Sequence, residues 1–416
     1  MKNTRRKESI LKLSLYIAKK LSAGTGRSST ERIIRIASSS VAISLIVMIL
    51  AIGIVKGFQK EIKSKATGFS GHLVIKKLDL NQSGEWALFP RKLLNVKDVS
   101  KLPFVTQISP ICIKPGILRT AADAEGIQCK GVVPGYGNAF INNQIIRGKT
   151  LKNNDSSDLN QILISEVTAN RLKLDTGQSV ELYFIQDGQV RRRKPKICGI
   201  FNTGIYEIDK TWVLADIRMV QRIYTLGYDS ISGFEVYLNS LDNLDQHRTL
   251  VNDVTGMELT VLSVDDTHFQ IFQWLKLLDM NVMIIIILMI LVSVVNMMTA
   301  LLVLIIDRTP MIGLLKALGA RNQLIRQSFL YSGSRYMLKG LAWGNVLGLG
   351  MGFLQKITGL IKLKEETYYL SQVPFDISFT DVIILNGLTF GVCFLLLIIP
   401  AMYVSGIQPV KAIRFN

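Results

Sequence analysis

Residues able to carry out chemistry are few in this sequence, and their spacing matches no common catalytic or metal-binding motif. The three histidines are far apart in the chain and show no metal-ligand spacing. Residues 148–150 (GKT) resemble the end of a phosphate-binding loop, but the position that needs the loop's first glycine is Asn143. No Gly-x-Ser-x-Gly motif is present. We therefore expect no catalytic residue, no metal site and no cofactor bound by this chain.

A glycine repeat is the first positive feature. Residues 328–354 contain Gly340, Gly344, Gly348 and Gly352, each four positions after the one before. This spacing puts the glycines on one face of a helix, where the lack of side chains lets a second helix approach closely. The repeat predicts tight helix packing and carries no information about a substrate.

The second positive feature is the segment 307–327 (DRTPMIGLLKALGARNQLIRQ), which lies between two apolar runs. Ile312, Leu315 and Leu318 form an apolar stripe at helical spacing, and Gly319 is suited to end the helix. Pro310 fits the first helical turn. A short amphipathic helix of this kind can lie among lipid headgroups or dock into a groove on a partner protein.

The elements that must position these features are membrane helices. Four segments are long and apolar enough to cross a bilayer, which takes about 20 residues; they are residues 33–57, 276–306, 328–354 and 380–405. The predicted fold class is a membrane α-helical protein with four transmembrane helices. A large α+β domain, residues 58–275, is inserted between the first and second.

Positive charge orients the predicted helices. Residues 1–35 contain ten Lys or Arg against two Asp or Glu, and the segment 307–327 is also basic. Both are expected in the cytoplasm, together with the tail, residues 406–416. Residues 58–275 carry nearly balanced charge and are expected on the outside, as is the short loop 355–379.

The basic arm, residues 1–32, precedes the first membrane helix. Its stretch 9–21 has apolar residues at helical spacing, which favours a helix on the membrane surface over the alternative of a solvated arm. Its length and the absence of a small-residue cleavage site argue against a cleaved signal peptide. The excess charge fits anionic lipid, and no nucleic-acid binding is expected.

The inserted domain alternates strand-like and helical stretches and is long enough for its own core, which we expect in two lobes. The predicted strands include residues 72–75, 162–165, 179–185 and 234–238, and the predicted helices are residues 166–174 and 215–224. Three of the four cysteines lie here without a Cys-x-x-Cys motif. Buried free thiols are favoured, and a Cys112–Cys129 bond is left open.

Polar residues within the second membrane segment are scarce. Ser293, Asn296 and Thr299 are the polar residues of its central part, and we expect interhelical hydrogen bonds from them rather than ligand contacts. No acid or base lies deep in either of the first two segments, which argues against a proton relay.

Residues 307–320 (DRTPMIGLLKALGA) resemble the signature of the FtsX-like, or MacB-type, ABC-transporter permeases. Residues 57–62, 162–182 and 197–216 resemble the lipoprotein-releasing branch of that family, the LolC/LolE permeases, and residues 400–414 match the family's closing motif. The resemblance covers nearly the whole chain. Met311 stands where the family usually has glutamate, so any salt bridge from that position is lost.

The resemblance implies a non-catalytic transmembrane subunit that works with a separate dimer of ABC ATPase subunits, to which ATP and Mg²⁺ bind. It implies a second permease subunit, either an identical copy or a LolC/LolE-like paralogue. The implied location is the inner membrane of a Gram-negative-type bacterium, with both termini cytoplasmic. The implied substrate is a lipoprotein, extracted from that membrane toward the outer membrane.

Further residues follow from the resemblance. Those implied in coupling to the ATPase are Asp307, Arg308, Ile312, Gly313, Leu315, Lys316, Leu318 and Gly319. Candidate contacts to the acyl chains, on the lipid-side faces of the first two helices, are Met48, Ile52 and Met289.

Two alternatives stay open. LolC-type subunits dock a periplasmic lipoprotein chaperone through a long hairpin, and the matching turn here, residues 186–189, is short. A LolE-like subunit or a homodimeric permease is therefore favoured, with chaperone docking undecided. The alternative function is an FtsX- or MacB-like mechanotransmitter that regulates a periplasmic hydrolase or efflux component.

Overall fold

The computed structural model describes residues 29–79, 85–121, 123–133, 139–151, 159–224, 229–364, 368 and 370–403 of the 416-residue chain. The predicted surface helix at 9–21, the predicted tail 406–416 and most of the closing motif lie outside the described residues.

The chain divides into two compact units. The helical unit comprises residues 1–58, 276–361 and 373–416, and the sheet unit comprises residues 59–275 and 362–372. The sheet unit thus combines the predicted inserted domain with part of the predicted loop 355–379.

The helices are listed first. In chain order they are α1 (Ser29–Ser70), α2 (Val96–Ser100), α3 (Ala139–Asn143), α4 (Glu166–Leu172), α5 (Tyr206–Thr211), α6 (Ile217–Gln221), α7 (Leu244–Thr255), α8 (Val264–Thr267), α9 (Phe269–Asp307), α10 (Thr309–Ala317), α11 (Asn322–Thr358) and α12 (Phe379–Tyr403).

The strands all lie in the sheet unit. In chain order they are β1 (Leu73–Lys77), β2 (Phe89–Pro90), β3 (Val105–Arg119), β4 (Ala124–Val132), β5 (Ile145–Gly148), β6 (Gln161–Ser165), β7 (Glu181–Gln186), β8 (Gln189–Arg193), β9 (Lys196–Phe201), β10 (Trp212–Asp216), β11 (Ser230–Ile231), β12 (Gly233–Leu238) and β13 (Leu259–Ser263).

One 11-stranded sheet organises the sheet unit. Its order is β13-β1-β12-β3-β4-β10-β6-β9-β5, with β7 pairing with β3 and β8. The pairs β4–β10 and β6–β9 are parallel, and the others are antiparallel. The long strand β3 pairs with β12 over residues 105–111 and with β4 over residues 112–119. Because β3 pairs with β12 at one end and with β4 at the other, the two expected lobes share this strand and form one unit.

The predicted strands are confirmed at β1, β6, β7 and β12, and the predicted helix at 166–174 is confirmed as α4. The predicted helix at 215–224 is too long, because residues 215 and 216 belong to β10. Asp216 is the N-cap of α6, and its carboxylate accepts a hydrogen bond from the N–H of Arg218 at 2.8 Å. The helix therefore begins after this residue.

The core of the sheet unit includes the strands β6 and β10. In β6 and β10, four successive residues are buried in each strand, which is typical of strands covered on both faces. Their side chains join a hydrophobic cluster that includes Ile162, Ile164, Val213 and Ala215. This central region connects the outer strands into one folded body.

The four cysteines are free thiols. Cys112 on β3 pairs with Gly131, whereas Cys129 on β4 pairs with Lys114, so the two cysteines are offset by two residues in the ladder. Burial raises the pKa of both thiols to about 12. They are protonated, unreactive core residues.

Three described helices are long and apolar enough to cross a membrane, judged by length and composition. They are α1 over Arg32–Ser70, α9 over Phe269–Asp307 and α12 over Phe379–Tyr403. Helix α11 has 37 residues but is not among them, since its glycines and the charges of Arg335, Lys339 and Lys356 lower its hydropathy. The predicted count of four transmembrane helices is therefore not confirmed.

The helical unit has its own hydrophobic core. Its fully buried members come from α1, α9, α10, α11 and α12 and include Val41, Leu45, Met48, Ile49, Ile305, Ile312, Phe329, Met337 and Leu397. Every one of these five helices therefore buries part of its surface inside the unit, and none is held by its chain connections alone.

His72, directly before β1, accepts a hydrogen bond that needs its neutral ring. The N–H of Leu238, at the end of β12, donates to His72 Nδ1 at 3.2 Å. The imidazole also contacts the Tyr237 ring edge-on, with 6.4 Å between ring centroids. Burial lowers the pKa of His72 to about 4. A protonated ring would place an N–H at Nδ1 and oppose the N–H of Leu238.

Lowering the pH from 7 to 5 is expected to weaken the pairing of β1 with β12. The pKa of His72 in the folded chain, about 4, lies below the ordinary value of 6.5. The unfolded chain therefore binds more protons between these values, and stability falls as the pH falls through that window. Hydrogen exchange of the full chain in detergent, corrected for intrinsic rates, should show a loss at the Leu238 amide on the order of 1 kcal/mol.

His72→Asn is the control for this effect, because its amide oxygen can accept the same hydrogen bond without titrating. The variant should show little change in protection between the two pH values. An equal response in the variant and the native chain would contradict the role of His72.

Candidate coupling helix and glycine interface

Helix α10 is separated from α9 by a single residue. Helix α9 ends at Asp307, and Arg308 is the N-cap of α10. Pro310 lies in the first turn of α10 and has no N–H to continue the hydrogen-bond ladder of α9. The carboxylate of Asp307 lies 3.8 Å from Arg308 Nε, which is close enough for the charges to attract, although this Nε has no hydrogen-bond partner among the described residues.

The end of α10 is fixed by backbone hydrogen bonds around a left-handed glycine. Gly319 has a φ of +87°, which costs a glycine little. Its N–H donates to the Lys316 carbonyl at 3.0 Å, and the N–H of Ala320 donates to the Leu315 carbonyl at 2.9 Å. These are the two bonds of a Schellman motif, and they stop the helix before α11 begins.

Helix α10 has an inward and an outward face. Ile312 is fully buried and Gly313 is buried, while Met311 and Leu315 pack against the same core. On the other side, Leu314 is 57% exposed and Leu318 is 77% exposed.

The predicted stripe of Ile312, Leu315 and Leu318 is therefore wrong as a single face. Ile312 is directed into the helical unit, whereas Leu318 is directed away from it. The residues in line with Leu318, one helical turn apart, are Leu314 and Pro310, and both are exposed. We call Pro310, Leu314 and Leu318 the outward face.

Basic residues lie at and directly after the C-terminal end of α10. Lys316 is in the last turn of α10, where a cation interacts favourably with the helix dipole, and partial burial lowers its pKa. Arg321 is exposed directly after the helix. The C-terminal end of α10 is thus cationic, which suits a partner surface with acidic residues near that end.

The glycine repeat of α11 lies against α1. A Cβ atom at Gly340 would be 2.6 Å from the carbonyl oxygen of Ser38, and one at Gly344 would be 2.9 Å from the Cβ of Leu45. A Cβ at Gly348 would lie 3.2 Å from the Cα of Ile46. The two backbones are in near contact over two helical turns.

The fourth glycine meets a side chain that sequence reasoning missed. The ring of Phe375, in the segment before α12, lies within 2.2 Å of the Cβ position of both Gly352 and Gly53. The N–H of Asp376 also donates to the Gly53 carbonyl at 2.9 Å. A signal was present in the sequence, since Gly53 and Gly57 repeat the four-residue spacing on α1.

Polar side chains link the helices of this unit. Asn345 on α11 and Asn386 on α12 exchange two amide hydrogen bonds, at 2.8 and 2.9 Å. Asn296 on α9 donates to Ser40 Oγ on α1 at 2.5 Å, which confirms its predicted interhelical bond.

The other two polar residues of α9 behave differently. Thr299 donates to the carbonyl of Val295 within its own helix at 2.9 Å, so its predicted interhelical bond is wrong. Ser293 is fully buried, and its hydroxyl has no hydrogen-bond partner among the described residues.

The three acyl-contact candidates occupy different environments. Met48 is fully buried in the core of the helical unit, so its expected position on a lipid-side face is wrong. Ile52 and Met289 are half-buried at the margin of the same core.

Two family models match the chain, one after the other. The model of the MacB-like periplasmic core domain matches residues 36–276, and the model of the FtsX-like permease C-terminal domain matches residues 283–409. The boundary between them falls within α9.

Curated relatives match over nearly their whole length. The lipoprotein-releasing system transmembrane protein LolC of Neisseria meningitidis is 22% identical, over 91% of this chain and 93% of that protein. LolC of Xylella fastidiosa is 23% identical, over 90% and 92%. LolE of Haemophilus influenzae is 22% identical, over 92% and 94%.

Solved structures with a likeness to this chain are single domains. The periplasmic region of MacB from Actinobacillus actinomycetemcomitans is 14% identical, over 51% of this chain and 98% of that chain, with a TM-score of 0.34. The extracellular domain of the noncanonic ABC-type transporter YknZ from Gram-positive bacteria is 17% identical, over 46% and 99%, with a TM-score of 0.32. Scores of this size carry no weight for the fold.

Adding one methyl group to the glycine interface is expected to destabilise the helical unit. Gly344→Ala would force α11 away from Leu45 and should cost about 1–3 kcal/mol, through lost packing along the interface. Thermal unfolding in detergent, followed by tryptophan fluorescence, measures the change.

Gly350→Ala on the same helix is the matched control. Its Cβ would meet no atom within 4 Å, so it should leave stability unchanged or raise it slightly through helix propensity. Equal effects of the two substitutions would show that the close contact with α1 is not what stabilises α11.

Proposed function

The chain belongs to the family that joins a MacB-like periplasmic core domain to an FtsX-like permease C-terminal domain, and from this we propose its function. It is an ABC-transporter permease subunit. We propose that it extracts lipoproteins from the inner membrane for delivery toward the outer membrane, driven by a separate ATPase. The observation that carries this is the match to relatives named for lipoprotein release, over about nine-tenths of both chains.

The chemistry of the substrate sets a requirement for this function. Burying one CH₂ group contributes about 0.8 kcal/mol, so an acyl chain of about 15 such groups costs on the order of 12 kcal/mol to expose to water. The acyl chains must therefore stay shielded during extraction. We propose Ile52 and Met289 as contacts to them, since both are half-buried apolar side chains on the two helices that precede and follow the inserted domain in the sequence.

Coupling to the ATPase is proposed to run through α10. Its inward face is anchored in the core by Ile312, and its outward face offers Leu314 and Leu318 to a groove on the ATPase. In this account Lys316 and Arg308 add positive charge near that contact. Asp307, Gly313, Leu315 and Gly319 shape and anchor the helix. ATP and Mg²⁺ bind to the partner, and this chain binds no cofactor and catalyses no reaction.

The proposed location is the inner membrane, with both termini in the cytoplasm. The basic segments 1–35 and 307–327 support this orientation through their charge. The outward face of α10 then lies on the side where ATP is available.

A second permease subunit completes the proposed assembly. The relatives include both LolC and LolE proteins at 22–23% identity, so similarity does not favour the LolE-like assignment over the LolC-like one. The β7–β8 hairpin turns within two residues, Asp187 and Gly188, which both have positive φ. Chaperone docking through a long hairpin is therefore not included in the proposal.

Lipoprotein transfer from proteoliposomes tests the proposal. The chain, reconstituted with its ATPase and any paralogous permease, should release a fluorescently labelled lipoprotein to a soluble acceptor when ATP is added. The reaction without ATP is the control. Intact ATP hydrolysis without release would count against lipoprotein extraction and would favour the mechanotransmitter alternative, which requires only that the outer domain respond to nucleotide.

A charge on the outward face of α10 is expected to break the contact with the ATPase. Leu318→Glu would bury an unpaired carboxylate in the contact and should weaken co-purification of the ATPase at least about tenfold. Met257→Glu, at a position that is 99% exposed in the sheet unit, makes the same chemical change as a control. Full ATPase binding by the Leu318 variant would exclude the outward face as the docking surface.

A further inference from the structure

A buried ion pair lies close to the end of α1, within the sheet unit. Lys130 on β4 and Glu235 on β12 have side chains 3% and 5% exposed, and Lys130 Nζ lies 2.6 Å from Glu235 Oε1. Strand β3 lies between β4 and β12, so the two side chains meet across it. Two charges are costly to remove from water, and a protein in which apolar residues of similar volume replace a buried ion pair is often as stable. Stability alone therefore does not account for the pair.

Lys130 also binds the last turn of α1. Its Nζ donates to the backbone carbonyl of Phe69 at 2.5 Å and lies 4.5 Å from the centre of the Phe69 ring. The last carbonyls of a helix have no partner within the helix, and the helix dipole favours a cation there. One ammonium group thus joins the end of α1, β4 and β12.

A second contact joins the end of α1 to the start of α9. Ser70 is the last residue of α1, and its Oγ lies 2.7 Å from Nε2 of His268, which directly precedes α9. Burial lowers the pKa of His268 to about 4, and the charge of Lys130 acts in the same direction. The ring is neutral at pH 7 and adds no charge beside Lys130. We call Lys130, Glu235, Phe69, Ser70 and His268 the junction cluster.

We propose that Lys130 is a positioning residue of the transport cycle, which fixes the end of α1 to β4 and β12 so that a displacement of α1 displaces the sheet. Helix α1 is continuous over Ser29–Ser70, and α9 is continuous over Phe269–Asp307 and ends one residue before α10. The junction cluster holds the outer ends of both helices at one place in the sheet unit. The inference rests on the proposed function in that an ATPase supplies the displacement.

The test separates transmission from folding. The double variant Lys130→Met/Glu235→Gln has no buried charge but can no longer donate to the Phe69 carbonyl. The complex should assemble and hydrolyse ATP within about twofold of the native rate, while lipoprotein transfer should fall about tenfold or more. The single variant Lys130→Arg keeps the charge and the hydrogen-bond donors and should retain most of the native transfer.

A surface ion pair supplies the matched control. Lys101 and Asp98 are 3.0 Å apart, with side chains 76% and 42% exposed. Removing this pair by Lys101→Met/Asp98→Asn should change neither ATP hydrolysis nor transfer.

Hydrogen exchange supplies a readout that needs no lipoprotein. In the native complex, exchange of β4 and β12 amides should differ between nucleotide-free and ATP-trapped states, and the double variant should lose that difference. No nucleotide response in the native complex would overturn the proposal. The proposal would also be overturned if transfer by the double variant fell only in proportion to the amount of folded complex.

Two further outcomes are informative. If the native exchange responds to nucleotide through Lys130 but no lipoprotein is transferred, the substrate assignment fails and the positioning role stands. If the double variant does not fold, Lys130→Gln/Glu235→Gln replaces the charges by amides and shortens the side chain that reaches the Phe69 carbonyl. It should lower the ratio of transfer to ATP hydrolysis, and an unchanged ratio would overturn the proposal.

Discussion

The close contact between α1 and α11 is the interaction on which the helical unit depends. In a bilayer the hydrophobic effect does not drive helices together, and van der Waals packing between small residues replaces it. Gly340, Gly344 and Gly348 let the two backbones meet, and Gly352 leaves room for the ring of Phe375. This explains how α11, whose hydropathy is the lowest of the four long helices, keeps a defined place among more apolar neighbours.

The same packing gives α10 its two-sided character. The contact between α1 and α11 is part of the core of the helical unit, and Ile312 is buried in that core. Helix α10 is therefore packed against the other helices of the unit. Its far side keeps Leu314 and Leu318 exposed. A helix that is anchored on one side and apolar on the other can pass a displacement from a docked partner to the core. This geometry is the physical basis of the proposed coupling.

Much of the architecture could be predicted from local patterns, because strand alternation, helical spacing and the apolar runs are local properties of the sequence. The contacts on which the proposed function depends could not be predicted in this way. Periodicity placed an apolar stripe on α10 but could not show that the core takes Ile312 and leaves Leu318 exposed. The burial of Met48 in the core of the helical unit depends on how the helices pack together, which no local pattern shows. The Lys130–Glu235 pair joins residues far apart in sequence, and the sequence alone does not distinguish either of them from a charged residue on the surface.

The most direct measurement of the central claim is site-specific photocrosslinking in living cells that also produce the ATPase. A photoreactive amino acid at position 314, on the outward face of α10, should crosslink to the ATPase, whereas the same probe at position 257 in the sheet unit should not. Crosslinking of position 314 only to lipid, or to a protein on the outer side of the membrane, would contradict the account of α10 as the helix that receives force from an ATP-driven partner.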